Sequence, residues 1–260
     1  MKVVVLVKHV PCAIGGLSFA TDLTVDRVGV RARLNEADEF AVGQARRIAL
    51  SRADVRITAV TAGPVGAVDA LRRALMLGAD QGVHVLDEGL HGCDVLGTSR
   101  VLAAAVDRLG FDLVLCGEAS ADSGMSAVPA MVAERLGVTV LCFADTLDVT
   151  RDGVEIRRDD GGGLEILAAD LPAVVSVTER CGVLRYPGFA AIVGARHEFV
   201  RTWSLADLDI DAAEVGLRGA ATVVRAVTPT AGGKNRVVVE GDASSTAVRV
   251  ADFLAERQFL

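Results

Sequence analysis

Between Gly117 and Val128 the chain reads Gly117-Glu118-Ala119-Ser120-Ala121-Asp122-Ser123-Gly124-Met125-Ser126-Ala127-Val128. Small and hydroxyl-bearing residues here separate an apolar run from a helical pattern. A strand exit of this composition, turning into a helix start, aims backbone N–H groups at an anion without needing a basic side chain. Two readings stand side by side. In one, those N–H groups, near Ser126, Ala127 and Val128, hold a nucleotide phosphate, which suits the arrangement better than acid–base catalysis by Asp122 or Glu118. In the other, the stretch is an ordinary loop in which Asp122 caps the helix and Glu118 is a solvated surface acid. Three more stretches share this ambiguity. Asn35-Glu36-Ala37-Asp38 either lines the same pocket or simply caps a helix. Ala62-Gly63-Pro64 allows close backbone approach or makes a common turn. Asp94 to Ser99 offers hydroxyls, or a cap from Asp94, Thr98 or Ser99. In an open parallel sheet all such exits face one edge, so their coincidence carries more than any one of them.

Other chemistries lose their usual support. Val10-Pro11-Cys12-Ala13-Ile14-Gly15-Gly16 contains no GxGxxG, and no P-loop, nucleophile elbow or HExxH occurs. Five scattered cysteines without a CxxC, and four dispersed histidines, make a zinc site a poor expectation and fit a reducing, cytoplasmic compartment with free thiols. A net charge of -7 and an aromatic fraction of 4% argue against a nucleic-acid partner. No apolar run approaches the roughly 20 residues that span a bilayer, and Met1 to Lys8 reads as a first strand rather than a signal peptide.

The elements that must position these residues follow a repeating pattern. Val3 to Val7, Arg56 to Val60, Gly82 to Leu86 and Phe111 to Gly117 are strand-like apolar runs, the first near-continuous, as in a strand covered on both faces. Helical patterns follow: from about Asn35 to Leu50, through Val68, Leu71 and Leu75, through Val101 to Leu109, and from about Met125 to Leu136. Asn35 is read as the N-cap of the first, with acids in its opening turn. The expected fold is α/β: a mostly parallel sheet covered by helices, Rossmann-like and nucleotide-binding, with an antiparallel hairpin insertion near 145–170 and a C-terminal arm. Ala173 to Val177 rejoins the sheet. We expect residues 1–200 to form the nucleotide-binding domain. Residues 201–260, ending in a helix from Ala247 to Gln258, form a partner-binding arm, with Trp203 as its anchor. Arg185-Tyr186-Pro187-Gly188-Phe189 is either a rigid aromatic turn that docks on a partner or a buried corner.

Taken in order, these stretches resemble the β subunit of electron-transfer flavoproteins, in a form like those of high-GC bacteria. The resemblance rests on Val3-Val4-Val5-Leu6-Val7-Lys8-His9-Val10-Pro11, Leu34 to Val42, Thr61-Ala62-Gly63-Pro64, Leu71 to Asp80, the Gly117–Val128 loop, Leu171 to Thr178, Arg185-Tyr186-Pro187 and the closing Phe253 to Leu260. It implies a soluble heterodimer whose α subunit holds the redox FAD. The β chain would have no catalytic residue and no metal. It would bind a structural AMP at Leu6, Asn35, Glu36, Ala37, Asp38, Ala62 and each residue from Gly117 to Val128. The dimer would accept electrons from acyl-CoA or other flavin dehydrogenases, recognised through Arg185, Tyr186 and Phe189, and pass them to a quinone oxidoreductase. Some members hold a second FAD in place of AMP, and Asp94 to Ser99 partly resembles their pattern. The sequence departs from the family at Cys12, where an acid is common, at Val183-Leu184, and at Gly194-Ala195-Arg196-His197, where lysines are usual.

Overall fold

Val3, Val4 and Val5 are all buried, and a strand apolar on both faces requires cover on both. The computed structural model describes residues 1–12, 17–27, 29–159, 161–182, 187–194, 200–228 and 237–259. They divide into two compact units, Met1–Val224 and Arg225–Leu260. In the first unit the chain runs through β1 (Lys2–Leu6), β2 (His9–Pro11), β3 (Ala32–Leu34), α1 (Glu36–Ser51), β4 (Arg56–Ala62), α2 (Val68–Leu77) and β5 (Gln81–Val85). It continues through α3 (Val95–Leu109), β6 (Leu113–Gly117), α4 (Val128–Leu136), β7 (Thr139–Ala144), β8 (Thr146–Val149), β9 (Gly153–Asp159), β10 (Leu164–Asp170) and β11 (Ala173–Val177). α5 (Phe189–Gly194), β12 (Val200–Trp203) and α6 (Gly216–Gly219) complete it.

Seven strands form one sheet in the order β12-β5-β4-β1-β6-β11-β7, and every neighbouring pair is parallel. Side-chain alternation along β1 divides the core in two. Val3 and Val5 face α1 and α2 with Ala41, Val42, Ala45, Leu71 and Ala74. Val4 and Leu6 face α3 and α4 with Val101, Val106, Val132 and Ala133. The sheet's winding reverses between β1 and β6, which leaves a crevice beyond the carboxyl ends of those two strands.

The expected insertion is present as a three-stranded antiparallel meander of β8, β9 and β10. Leu147, Val154 and Ile156 are buried against the α1 side of the core, whereas Leu164 and Ile166 on the outer strand are 65% and 53% exposed. Several elements differ from the sequence reading: the closing helix, expected over Ala247 to Gln258, spans Ala243–Glu256, and the short β2–β3 pair carried no pattern. α4 begins at Val128 rather than near Met125, because Ser126 takes a left-handed φ of 54° that a helix cannot contain. The seventh strand, β12, was not marked by pattern, since Arg201 and Thr202 are exposed on a sheet edge. Trp203 lies on that strand, packed against the α3 side of the core, with the Arg108 guanidinium 5.2 Å from its ring centroid.

The second unit carries α7 (Ala243–Glu256), N-capped by the Asp242 carboxylate, which accepts from Ser244 N at 3.0 Å and Ser245 N at 3.1 Å. Its Val248 and Val250 are exposed, as are Val237, Val238 and Phe259 around it. Arg257 stacks over Phe253 at 4.4 Å.

Candidate functional site

The crevice is built by one buried carboxylate. Asp38, in the first turn of α1, accepts from Lys8 N at 2.8 Å and from Gly117 N at 3.0 Å. It therefore ties the exit of β1 to the exit of β6, the two strands between which the winding reverses. Burial pushes its carboxyl up to about 7, against the lowering effect of these backbone donors. The acids of this turn look like partners for the helix dipole in sequence, but Asp38 is turned inward while Glu36 stays on the surface with Arg33 at 3.1 Å.

Asn35 occupies the N-cap position, yet its side chain makes no cap hydrogen bond. Instead Nδ2 donates to Ala119 O at 2.8 Å, and Oδ1 accepts from Ala121 N at 3.1 Å. The plain-cap alternative is corrected: α1's start is stitched to the 117–128 loop, and the helix meets its opening N–H groups through Asn35 O, which accepts from Asp38 N and Glu39 N.

Asp122 is not a helix cap either. Its side chain is 1% exposed and receives two cations, Lys8 Nζ at 2.7 Å and Arg27 Nη2 at 2.5 Å. Lys8 Nζ also donates to Ser120 Oγ at 3.1 Å, which lies 2.7 Å from Ser123 Oγ. Burial alone would raise the Asp122 carboxyl, but Lys8 and Arg27 hold it down to about 2. Arg27 was not singled out from sequence. It sits 95 residues from Asp122, in a stretch without periodicity.

Leu6 ends β1 and Ala62 ends β4, both on the face covered by α3 and α4, where Val128 also packs. Ser126, Ala127 and Val128 are half-buried, and among the described residues their backbone N–H groups donate to no acceptor. Ala121, Ser123, Gly124 and Met125 form the exposed outer part of the loop. His84, buried, places Nε2 3.0 Å from Gly63 O and so fixes the 62–64 turn; burial lowers its pKa.

Not every candidate converges here. Glu118 turns into a separate cavity of about 460 Å³, shared with Phe143, Asp145, Arg158, Thr178 and Glu179. Burial, then Glu179 and Asp145, raise its carboxyl, so it is not a simple solvated acid. Asp94 caps α3 by accepting from Gly97 N at 2.9 Å, and its other oxygen holds Ala221 N and Thr222 N. Phe189 opens α5 and is 82% exposed. Arg185 and Tyr186, with Val183 and Leu184, lie outside the described residues. No group of three metal-ligating side chains occurs among the described residues, and none of their helices is long and apolar enough to cross a membrane.

The arrangement is a structural one: apolar walls, main-chain donors and cations already paired with a carboxylate. Comparison with known proteins identifies the family. Residues 22–208 match the model of the electron transfer flavoprotein domain. The chain is 37% identical over 258 residues to the electron transfer flavoprotein subunit beta of Mycobacterium tuberculosis (strain ATCC 25618 / H37Rv), covering 95% of this chain and 96% of that protein. It is equally similar, at 37% over the same share, to that of Mycobacterium leprae. The Clostridium acetobutylicum subunit is 28% identical over the full length of both chains.

Proposed function

The chain belongs to the electron transfer flavoprotein family, among its β subunits, and from that premise we propose that it is the β half of a heterodimer that relays electrons through a flavin held mainly by an α subunit. In this reading the β chain breaks and makes no bonds. It holds a structural AMP in the crevice between β1 and β6, helps shape the flavin's surroundings and presents the segment around Phe189 to a donor dehydrogenase of the acyl-CoA class or a related flavin dehydrogenase. The acceptor is a quinone oxidoreductase. When bound, the FAD supplies the redox chemistry; this chain's residues bind, orient and dock.

The observation that carries the nucleotide assignment is the set of donors at Ser126, Ala127 and Val128, which among the described residues lack acceptors, at a half-buried helix start walled by Leu6 and Ala62. An AMP phosphate fits that set. Lys8 and Arg27 are both engaged by Asp122, which favours retention of a nucleotide over phosphoryl transfer, where cations must follow the transferred group. AMP is preferred to a second FAD because Asp94, in the stretch that resembles the second-flavin pattern, is occupied as a cap and as an acceptor for 221–222. The exposed valines of the second unit suit a surface that a partner chain covers.

Co-expression with the candidate α subunit tests the whole. The two chains should co-purify, and mass spectrometry of the denatured complex should find one AMP and one FAD. Two FAD and no AMP would replace the nucleotide assignment, and a β chain that never binds the α subunit would refute the heterodimer.

A further inference from the structure

Residues 18–26 form a small self-braced hairpin. Phe19 bridges Val25 in antiparallel fashion, Asp26 N donates to Ser18 O at 2.9 Å, and Ala20 N donates to Thr24 O at 2.8 Å. The Asp22 carboxylate stiffens its tip by accepting from Thr24 N at 3.0 Å and Thr24 Oγ1 at 2.7 Å. Each end of this hairpin is fastened to a different part of the sheet's carboxyl edge. At the base, Arg27 donates to Asp122 in the loop after β6 and to His9 O at 3.2 Å. At the tip, Asp22 Oδ2 lies 2.6 Å from His91 Nε2, in the turn that follows β5.

In the sheet order, β4 and β1 lie between β5 and β6. Three strand spacings separate those two exits, about 14 Å at ~4.8 Å each. The five peptide steps from Asp22 to Arg27 reach about 17 Å when extended, and the Arg27 and His91 side chains that make the ties add to that reach, so the segment is long enough to bridge them. A segment tied beyond both exits runs along the carboxyl edge of the sheet, where β4 and β1 end between them. Those ends are Ala62 and Leu6.

We propose that the 18–26 hairpin is a roof over the crevice, and that Arg27 and the Asp22–His91 pair are nucleotide-retention residues. This rests on the AMP assignment above. The roof would slow escape of a ligand that the walls and the 126–128 N–H groups hold only by shape and main-chain contact. It acts on exit, not on chemistry, and both ties must hold for it to work.

The test uses the intact heterodimer loaded with radiolabelled AMP and chased with excess unlabelled AMP. Arg27→Ala, which cuts the half-buried tie, should speed loss of label about tenfold, the range of a charge-assisted hydrogen bond. His91→Gln, which cuts the exposed tie far from the 117–128 loop, should speed it about threefold. The melting temperature of the AMP-free His91→Gln complex should match wild type, so that faster exchange is not a general loss of stability. Unchanged label loss in both variants overturns the roof. Acceleration in Arg27→Ala alone also overturns it, because it would report damage to the Asp122 loop rather than a spanning cover. A wild-type complex that holds no AMP overturns the nucleotide assignment itself, and the roof with it.

Discussion

Gly117→Ala should separate the β1–β6 crevice from the rest of the fold. A Cβ at residue 117 would sit 2.6 Å from the Ala37 carbonyl carbon, 2.6 Å from Ala37 Cβ and 2.6 Å from Asp38 Oδ1. Carbon atoms prefer about 3.5–4.0 Å, so the intrusion is roughly 1 Å. Two of the three obstructing atoms are backbone or Cβ, and neither can turn away by changing rotamer. The first turn of α1 must move, which strains its packing through Ala41, Val42 and Ala45 and pulls Asp38 from Gly117 N. Overpacking of this kind costs about 1–3 kcal/mol, and a lost hydrogen bond to a carboxylate about 1.5–3 kcal/mol. The sum, about 2.5–6 kcal/mol, corresponds to a fall in melting temperature on the order of 10 °C for a chain of this size. Gly124→Ala is the control, since nothing lies within 4 Å of its Cβ and only its φ of 59° resists substitution, at about 1–2 kcal/mol. Differential scanning fluorimetry of the co-purified complex, with nucleotide content measured in parallel, reads both. If Gly117→Ala melts no lower than Gly124→Ala, the close approach of α1 to β6 is not what builds the site.

Asn35→Ala strands Ala119 O and Ala121 N and should lower stability by about 2–3 kcal/mol, with less AMP surviving gel filtration. Asp122, whose folded pKa of about 2 lies below the ordinary aspartate value of 3.8, contributes stability that is present above about pH 4. That contribution is lost as pH falls through 2; it amounts to about 1–2 kcal/mol once partial exposure of Lys8 and Arg27 is discounted, and Asp122→Asn should remove that acid slope from a melting-temperature profile. Asp38 has the opposite sign: its folded pKa of about 7 lies above 3.8, so the native state holds the proton more tightly and stability declines as pH rises from about 4 to 7. Asp38→Asn should flatten that window. Phe189→Ala should leave AMP content and assembly unchanged while slowing flavin reduction by the donor dehydrogenase; an exposed aromatic anchor is worth about 2 kcal/mol or more at an interface, and normal reduction would remove the docking role.

The parallel sheet was legible because β1, β6 and β11 are apolar on both faces, a pattern that only helices on both sides can satisfy. The meander was legible from Arg151-Asp152-Gly153 and the glycines after Asp159. β12 was not, because an edge strand of four residues with Arg201 and Thr202 outward has no run to recognise. At the crevice, the location of the 117–128 loop could be read, but not how it is held. Asn35 and Asp122 each looked like a cap because caps are decided by neighbours in sequence, and the partners that claim them are 84 to 114 residues away. Arg27 carried no local signal at all. Its role exists only once the chain has returned to the same sheet edge.

The parallel pairing of β1 also matters before the protein is finished. Val3 pairs with Ile57 on one side and with Leu113 on the other, so the second neighbour lies 110 residues downstream (113 − 3). At a synthesis rate of about 5–20 residues per second, that neighbour leaves the ribosome roughly 5–20 s after the strand itself. For that interval the nascent chain exposes a continuous β-prone segment, Val3-Val4-Val5-Leu6-Val7, with at most one edge covered. Lys2 and Lys8 stand at its two ends, where charge discourages the association of one nascent segment with another. In the folded chain the Lys8 ammonium, whose charge opposes such association at the end of that strand, closes on Asp122 in the loop after β6.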